Sequence, residues 1–366
     1  MTYINRAATL LDVIRARGQY REVQPSQISG VIDFTSNDYL ALSTNPSVVQ
    51  AFRSATRAGS TGARLLGGRH REHSLLEEEL AAWLGRERAL LFSSGYHAAI
   101  GAIPALAACV DAIDSDTLNH ASLIDGIRLS RVLCRRYPHG ELPLRDDRTR
   151  ATLVVTESVF GMDGDVVDVS AILSELGDDD VLFVDEAHAL GVTGREGAGL
   201  ARNLDDPRVI VLGTLSKAFG VHGGFIAGPA RAIELLVNTA RTFIFDTALP
   251  PAIALAARVA LVEIRKGDDL RARLRENVSR LRTGLRESGI SVPESPAPVT
   301  SIVLGDEMRA VRASQRLMER GLAIPAIRPP TVPQGASCLR ISVRIDHTNE
   351  AIDAAIAGIA ACTATS

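Results

Sequence analysis

A chain of 366 residues that is 46% hydrophobic but only 4% aromatic has enough apolar mass for a large core in one or two domains. Its formal net charge of −3 excludes a global electrostatic draw toward nucleic acid or a membrane surface, and no run approaches the roughly 18 apolar residues that a membrane span requires. The four cysteines, Cys109, Cys134, Cys338 and Cys362, form no CxxC pair and read as small core residues in a reducing compartment, not as a disulfide frame or metal site. The first twenty residues mix Asn5, Arg6, Asp12, Arg15 and Arg17 with Leu and Ile at helical spacing, unlike the apolar block of a signal peptide. A cytoplasmic enzyme is expected.

In chain order, the pattern predicts an amphipathic helix over 9–20 and a short strand over 31–34. A helix over 72–84 follows, then a buried strand over 89–92 that ends at Ser93-Ser94-Gly95. Compact β-branched or apolar runs at 152–155, 181–184, 209–212 and 225–227 carry the signature of parallel strands covered on both faces. With helical stretches between several of them, the expected architecture is α/β, a mostly parallel sheet covered by helices. After Leu249-Pro250-Pro251 a long helical segment runs to about Ser288, and its Arg-rich part, Arg265 to Arg286, reads as a solvated face. Strands over 300–304 and 339–343 belong to a smaller C-terminal α+β unit. The expected division is 1–45, an N-terminal helix and strand; 46–250, a large α/β domain; and 251–366, a linking helix with the α+β domain.

Four segments carry chemistry. Leu212-Gly-Thr-Leu-Ser-Lys217 sets a lysine just after a buried strand, before Gly223-Gly224. A lysine so held can form an imine with an aldehyde cofactor, whereas the bland reading is a surface lysine. Thr214 and Ser216 offer hydroxyls to a phosphate. Val181-Leu-Phe-Val-Asp185-Glu-Ala-His188 delivers a carboxylate to the C-terminal edge of the sheet, where open α/β folds bind ligands. A carboxylate there can keep a pyridine nitrogen protonated. A helix cap or a Mg²⁺ ligand would look alike, but no Gly-rich phosphate loop ending in Lys-Ser/Thr accompanies it. Ser93-Ser-Gly95-Tyr96 turns a strand into a helix start, a place for a phosphate. Asn119-His120 places an imidazole that could stack on a cofactor, though a lone histidine is more often a satisfied structural group.

These segments, together with Ser36-Asn-Asp-Tyr-Leu40, Gly59-Ser-Thr-Gly62, Glu157-Ser-Val-Phe and Met162-Asp-Gly-Asp165, occur in the order seen in the α-oxoamine synthases, which the chain resembles over nearly its whole length. The resemblance implies a fold-type-I enzyme using pyridoxal 5'-phosphate. By resemblance, Lys217 forms the imine and exchanges the substrate α-proton, Asp185 pairs with the pyridine nitrogen, and His188 bonds the phenolic oxygen. His120 stacks on the ring and contacts substrate, Gly95 and Tyr96 give backbone contacts, and Thr214 binds the phosphate. Arg340 is implied to pair with the amino-acid carboxylate. Ser342 stands where the family has a substrate-contacting threonine, and Asn37 lines the cleft. Arg21, expected at the end of the first helix, aligns with an arginine that contacts the acyl substrate; as an isolated residue it reads equally as a solvated helix end.

Ala326 to Gly335, Leu339 to Val343 and Phe243 to Pro251 most resemble members that condense L-alanine with a pimeloyl thioester, on CoA or an acyl carrier protein, in biotin biosynthesis. Glycine C-acetyltransferase chemistry is the alternative within the family; an aminotransferase and a non-catalytic cofactor-binding subunit are the readings outside it. A homodimer with shared active sites is implied, and no metal. The chain departs from the family pattern at Gly161, usually serine; at Ala41 and Ala99, usually Gly and Asn; and at Asp246, usually a small hydroxyl residue near the phosphate.

Overall fold

The computed structural model describes residues 2–23, 30–142 and 150–364. In chain order its strands are β1 (Ile32–Asp33), β2 (Arg88–Phe92), β3 (Ala112–Asp116), β4 (Leu133–Tyr137), β5 (Thr152–Glu157), β6 (Val181–Asp185), β7 (Val209–Thr214), β8 (Gly224–Gly228), β9 (Val299–Gly305), β10 (Leu322–Ala323), β11 (Ala326–Ile327) and β12 (Ser337–Ser342). The chain forms two compact units. One comprises Asn37–Gly161 and Asp165–Leu274; the other comprises Met1–Ser36, Met162–Gly164 and Arg275–Ser366.

The larger unit is built on a seven-stranded sheet in the order β2-β8-β7-β6-β5-β3-β4. β4, β3, β5, β6 and β7 run parallel, whereas β8 is antiparallel to both its neighbours. The central strands β5 and β7 are buried at every residue, which is why they read as continuous apolar runs instead of alternating ones. Helices Gly95–Ala107, Ala121–Ser130 and Ala230–Thr239 close one core with the sheet, including Ile103, Leu123, Phe183, Ile226 and Leu236. Helices Arg71–Leu84 and Pro251–Lys266 pack against each other.

In the smaller unit β9, β12 and β11 form an antiparallel sheet, and β1 pairs in parallel with β10. The helix Asn349–Ala364 belongs to this unit, and among the described residues no helix is long and apolar enough to cross a membrane.

Several expectations are corrected. The first helix spans Tyr3–Ala16, starting and ending earlier than its apolar spacing suggests. Thr2 caps its start by accepting from the Asn5 N–H, and Gly18, at φ +65°, turns the chain out of the helix. Arg21 therefore lies beyond the helix, in non-helical chain. The segment after Pro251 is two helices, Pro251–Lys266 and Asp268–Glu287, parted at Gly267. Its arginines are not all solvated: Arg271 and Arg282 are each 3% exposed. Arg271 donates to the Ile264 carbonyl at 2.6 Å, and Arg282 to the carbonyls of Pro293 and Val299, so guanidinium forks satisfy backbone oxygens left open by the ends of other segments. Cys338 and Cys362 are buried, but Cys109 and Cys134 are exposed, the latter on the edge strand β4.

Candidate active site

The C-terminal ends of the parallel strands gather the titratable groups of the larger unit. Glu157 closes β5 and Asp185 closes β6, and the parallel register pairs these two residues directly. Both carboxylates are buried, at 4% and 5% exposure. Lys217 follows three residues after β7 ends at Thr214, and its charge acts on Asp185, Glu157 and His120 alike. Burial raises the Asp185 carboxyl above its ordinary range, and the Lys217 charge opposes that rise. Glu157 is pushed up to about 8, by burial first and then by the charge of Asp185, so burial works against ionising both members of the pair at once.

His120 opens the helix Ala121–Ser130, and its backbone N–H donates to Glu157 Oε1 at 2.7 Å. Its Nδ1 accepts from the Ser122 N–H at 3.2 Å, which fixes one edge of the ring. Protein surrounds the imidazole on most sides, and burial lowers its pKa, yet the residue keeps accessible surface. That combination suits a platform for a planar ligand. Just before it, Asn119 Nδ2 is anchored to the Val155 carbonyl at 2.8 Å, tying this turn to β5.

His188 lies in the turn after β6 and is buried; its Nδ1 is 2.7 Å from the hydroxyl of the fully buried Tyr39. That hydroxyl also reaches Asn37 Oδ1 at 3.2 Å.

A third cluster surrounds the start of the helix Gly95–Ala107. Ser94 caps it by accepting from the His97 N–H at 3.1 Å. A Cβ on Gly95 would lie 3.3 Å from the Thr214 Cβ, and one on Gly224 would lie 2.4 Å from the Gly95 nitrogen, so two glycines let the helix start approach the end of β7. A Cβ on Gly95 would also lie 3.4 Å from Thr214 Oγ1, which is itself 2.8 Å from Ser216 Oγ, so the helix start has the Thr214 hydroxyl beside it and the Ser216 hydroxyl bonded to that one. This is the chemistry of a phosphate cradle. Asp246 does not leave a loose charge here. It accepts from Ser93 Oγ at 2.5 Å and lies 3.3 Å from His97 Nδ1. Because Ser93 gives its one proton to Asp246, His97 donates through Nδ1 to Ser93 Oγ. The Tyr96 hydroxyl donates to Asp125.

The remaining residues singled out from sequence lie in the smaller unit. On β12, Arg340 Nη1 donates to Ser342 Oγ at 3.0 Å, and both are buried. Arg340 pairs with Ser301 of β9, whose hydroxyl donates to Asp163. Arg21 is exposed and donates to the Pro329 carbonyl at 3.1 Å. Sequence reasoning gave Glu157 and Tyr39 no role, although Glu157 ends an apolar strand at the same sheet edge as Asp185.

The family model for class I and II aminotransferases matches residues 29–359. The chain belongs to that aminotransferase family. Within it, the chain is 43% identical to the 8-amino-7-oxononanoate synthase of Methylococcus capsulatus, over 96% of this chain and 97% of the relative. It is likewise 43% identical to the 8-amino-7-oxononanoate synthase of an Anaeromyxobacter species, over 96% of this chain and 94% of that one. Among solved structures, a serine palmitoyltransferase variant from S. paucimobilis, with bound PLP–myriocin aldimine, superposes with a TM-score of 0.90. It is 26% identical to this chain, covering 100% of this chain and 99% of its own. The 8-amino-7-oxononanoate synthase of Francisella tularensis gives 0.76 at 30% identity, over 90% and 97%. This aminotransferase-family member thus has relatives of the α-oxoamine synthase kind by both sequence and fold, as its motifs implied.

Proposed function

We propose that this chain is a pyridoxal-phosphate-dependent C-acyltransferase that condenses L-alanine with a pimeloyl thioester, giving 8-amino-7-oxononanoate, CO2 and a free thiol in biotin biosynthesis. The observation that carries the reading is the convergence of Lys217, Asp185 and His120 at one edge of the sheet, in a chain 43% identical to synthases of that name.

The donor set fits the cofactor. It offers an amine for an aldehyde, a buried carboxylate for a protonated ring nitrogen, an imidazole with accessible surface, and a helix start beside two hydroxyls for a phosphate. When bound, pyridoxal phosphate supplies that aldehyde and a ring able to take up the electrons released at the substrate α-carbon. Lys217 Nζ would hold the aldehyde, and its amine would serve as the base that takes the substrate α-proton and the acid that returns one. Asp185 would keep the ring nitrogen protonated. His120 would stack on the ring and help orient the substrate, while His188 would bond the phenolic oxygen. The Gly95 and Tyr96 N–H groups and the Thr214 hydroxyl would receive the phosphate. By the family resemblance Arg340 would receive the alanine carboxylate, with Ser342 as a substrate contact; Asn37 would line the substrate cleft and Arg21 would contact the acyl substrate. The alanine α-carbon then bonds to the thioester carbonyl carbon, the thiolate leaves, and the carboxylate departs as CO2.

The family resemblance supports a homodimer with shared active sites, and the exposed Leu65, Leu66 and Phe245 of the larger unit are apolar surface suited to such an interface. Composition and the resemblance support a cytoplasmic location.

The reading is tested by thiol release from pimeloyl-CoA with L-alanine or glycine. Release with alanine, with a product of the mass of 8-amino-7-oxononanoate, is expected. Preference for glycine with a short acyl-CoA would move the chain to the acetyltransferase reaction. Lys217→Ala is expected to lose turnover by several orders of magnitude while remaining folded, and wild-type rates in that variant would overturn the lysine's role.

A further inference from the structure

Gly161 sits between β5 and β6 where the family resemblance places a serine. Its φ lies outside the left-handed region, so the backbone there accepts any L-residue and does not demand glycine. The demand is steric. A Cβ built on Gly161 would fall 2.2 Å from His188 Nε2, 2.7 Å from Cδ2 and 2.9 Å from Cε1. The imidazole lies across the space that a side chain at 161 would fill. It is held there from its other edge: Nδ1 is 2.7 Å from the Tyr39 hydroxyl, and both rings are buried. A side chain at 161 could be accommodated only by turning the imidazole, which would break the Tyr39 bond inside a buried pocket.

We propose that Gly161 is a positioning residue for His188: the missing side chain opens the slot in which Tyr39 fixes the imidazole. The proposal deepens the cofactor reading, because it rests on His188 as the group facing the phenolic oxygen. It makes His188 orientation a joint property of Gly161 and Tyr39.

A cycle of Gly161→Ala, His188→Ala and the double variant tests the coupling in two ways. In the cofactor-free protein, Gly161→Ala is expected to lower the unfolding temperature by about 5 °C, as overpacking of a buried site does. The same substitution in the His188→Ala background is expected to cost nothing. In the holoenzyme, Gly161→Ala and Tyr39→Phe are expected to shift the visible absorption band of bound pyridoxal phosphate in the same direction. Gly161→Ala should add no further shift once His188 is Ala. If Gly161→Ala alone fails to fold, folding of the double variant supports the proposal, and failure of both overturns it. A thermal penalty that persists without the imidazole, or an unchanged absorption band in Gly161→Ala, would also overturn it. A wild-type protein with no such band would instead indict the cofactor reading, and the cofactor-free cycle would still report on the coupling.

Discussion

Ala41 occupies a left-handed conformation, φ 50° and ψ 32°, immediately before the short 3-10 turn Leu42–Thr44. Its N–H donates to the Asp38 carbonyl at 2.9 Å, and Asp38 in turn caps the turn through Leu42 and Ser43, so the geometry is imposed by neighbours on both sides. An L-residue with a Cβ pays about 1–2 kcal/mol for this region. Glycine removes that strain but loses roughly 0.5–1 kcal/mol through the greater freedom of the unfolded chain. The family's glycine at this position is thereby explained by torsion, in contrast to Gly161, where the constraint is contact. Ala41→Gly is expected to stabilise the protein by about 0.5–1 kcal/mol. A higher urea midpoint at unchanged slope is the measurement; a lower midpoint would show that the turn carries no strain.

Among elements, the helix Gly95–Ala107 is tied to the short helix Arg241–Ile244 by a bond from Thr242 Oγ1 to the His97 carbonyl at 2.6 Å. Gly101, one turn further along, makes room for that threonine: a Cβ there would lie 2.1 Å from Thr242 Oγ1. Gly101→Ala gains about 1 kcal/mol of helix propensity, but it overpacks a buried contact and displaces the hydrogen bond, together about 2–4 kcal/mol. A net loss of about 1–3 kcal/mol in urea unfolding is expected, turning to a gain when Thr242 is Ala. Elements of this kind were readable from sequence where periodicity and composition agreed. The helix Arg71–Leu84 and the apolar strands β5 to β8 stand within a few residues of their expected places. β3 and β4 gave no signal: Ala-Ile-Asp-Ser-Asp is half polar though fully buried, and Leu-Cys-Arg-Arg-Tyr buries only Tyr137 at the sheet edge. The same logic limited the site. Lys217, Asp185 and His188 announce themselves beside apolar strands, whereas the pairing of Glu157 with Asp185 depends on strand order and register, which a linear pattern does not contain.

For the molecule as a whole, the groups gathered at the strand ends set how stability responds to pH. Burial pushes Glu186 up to about 7 and Glu157 up to about 8, against 4.5 for an ordinary glutamate. His139 is raised above 6.5 chiefly by its bond to Asp116. All three hold protons in the folded chain that the unfolded chain has released, so stability falls as pH rises through the interval between the two values. His73 works the other way: burial lowers it to about 4, so its contribution grows from there to 6.5 and is constant above. Below pH 6.5 these effects oppose one another; from 6.5 to 8 only the falling contributions remain. The cofactor-free protein is therefore expected to lose stability across that upper window. Glu186 has its carboxyl between the N–H groups of Ala201 at 2.6 Å and Leu200 at 3.2 Å and is half-titrated near 7, whereas Glu157 reaches that point only near 8. Glu157→Gln, neutral at every pH, should flatten the urea-unfolding free energy between pH 7 and 8, and Glu186→Gln should flatten it mainly below 7. An undiminished slope above pH 7 in Glu157→Gln would mean that the buried pair at the ends of β5 and β6 already ionises in the native state, and that Asp185 shares its sheet edge with a second charge.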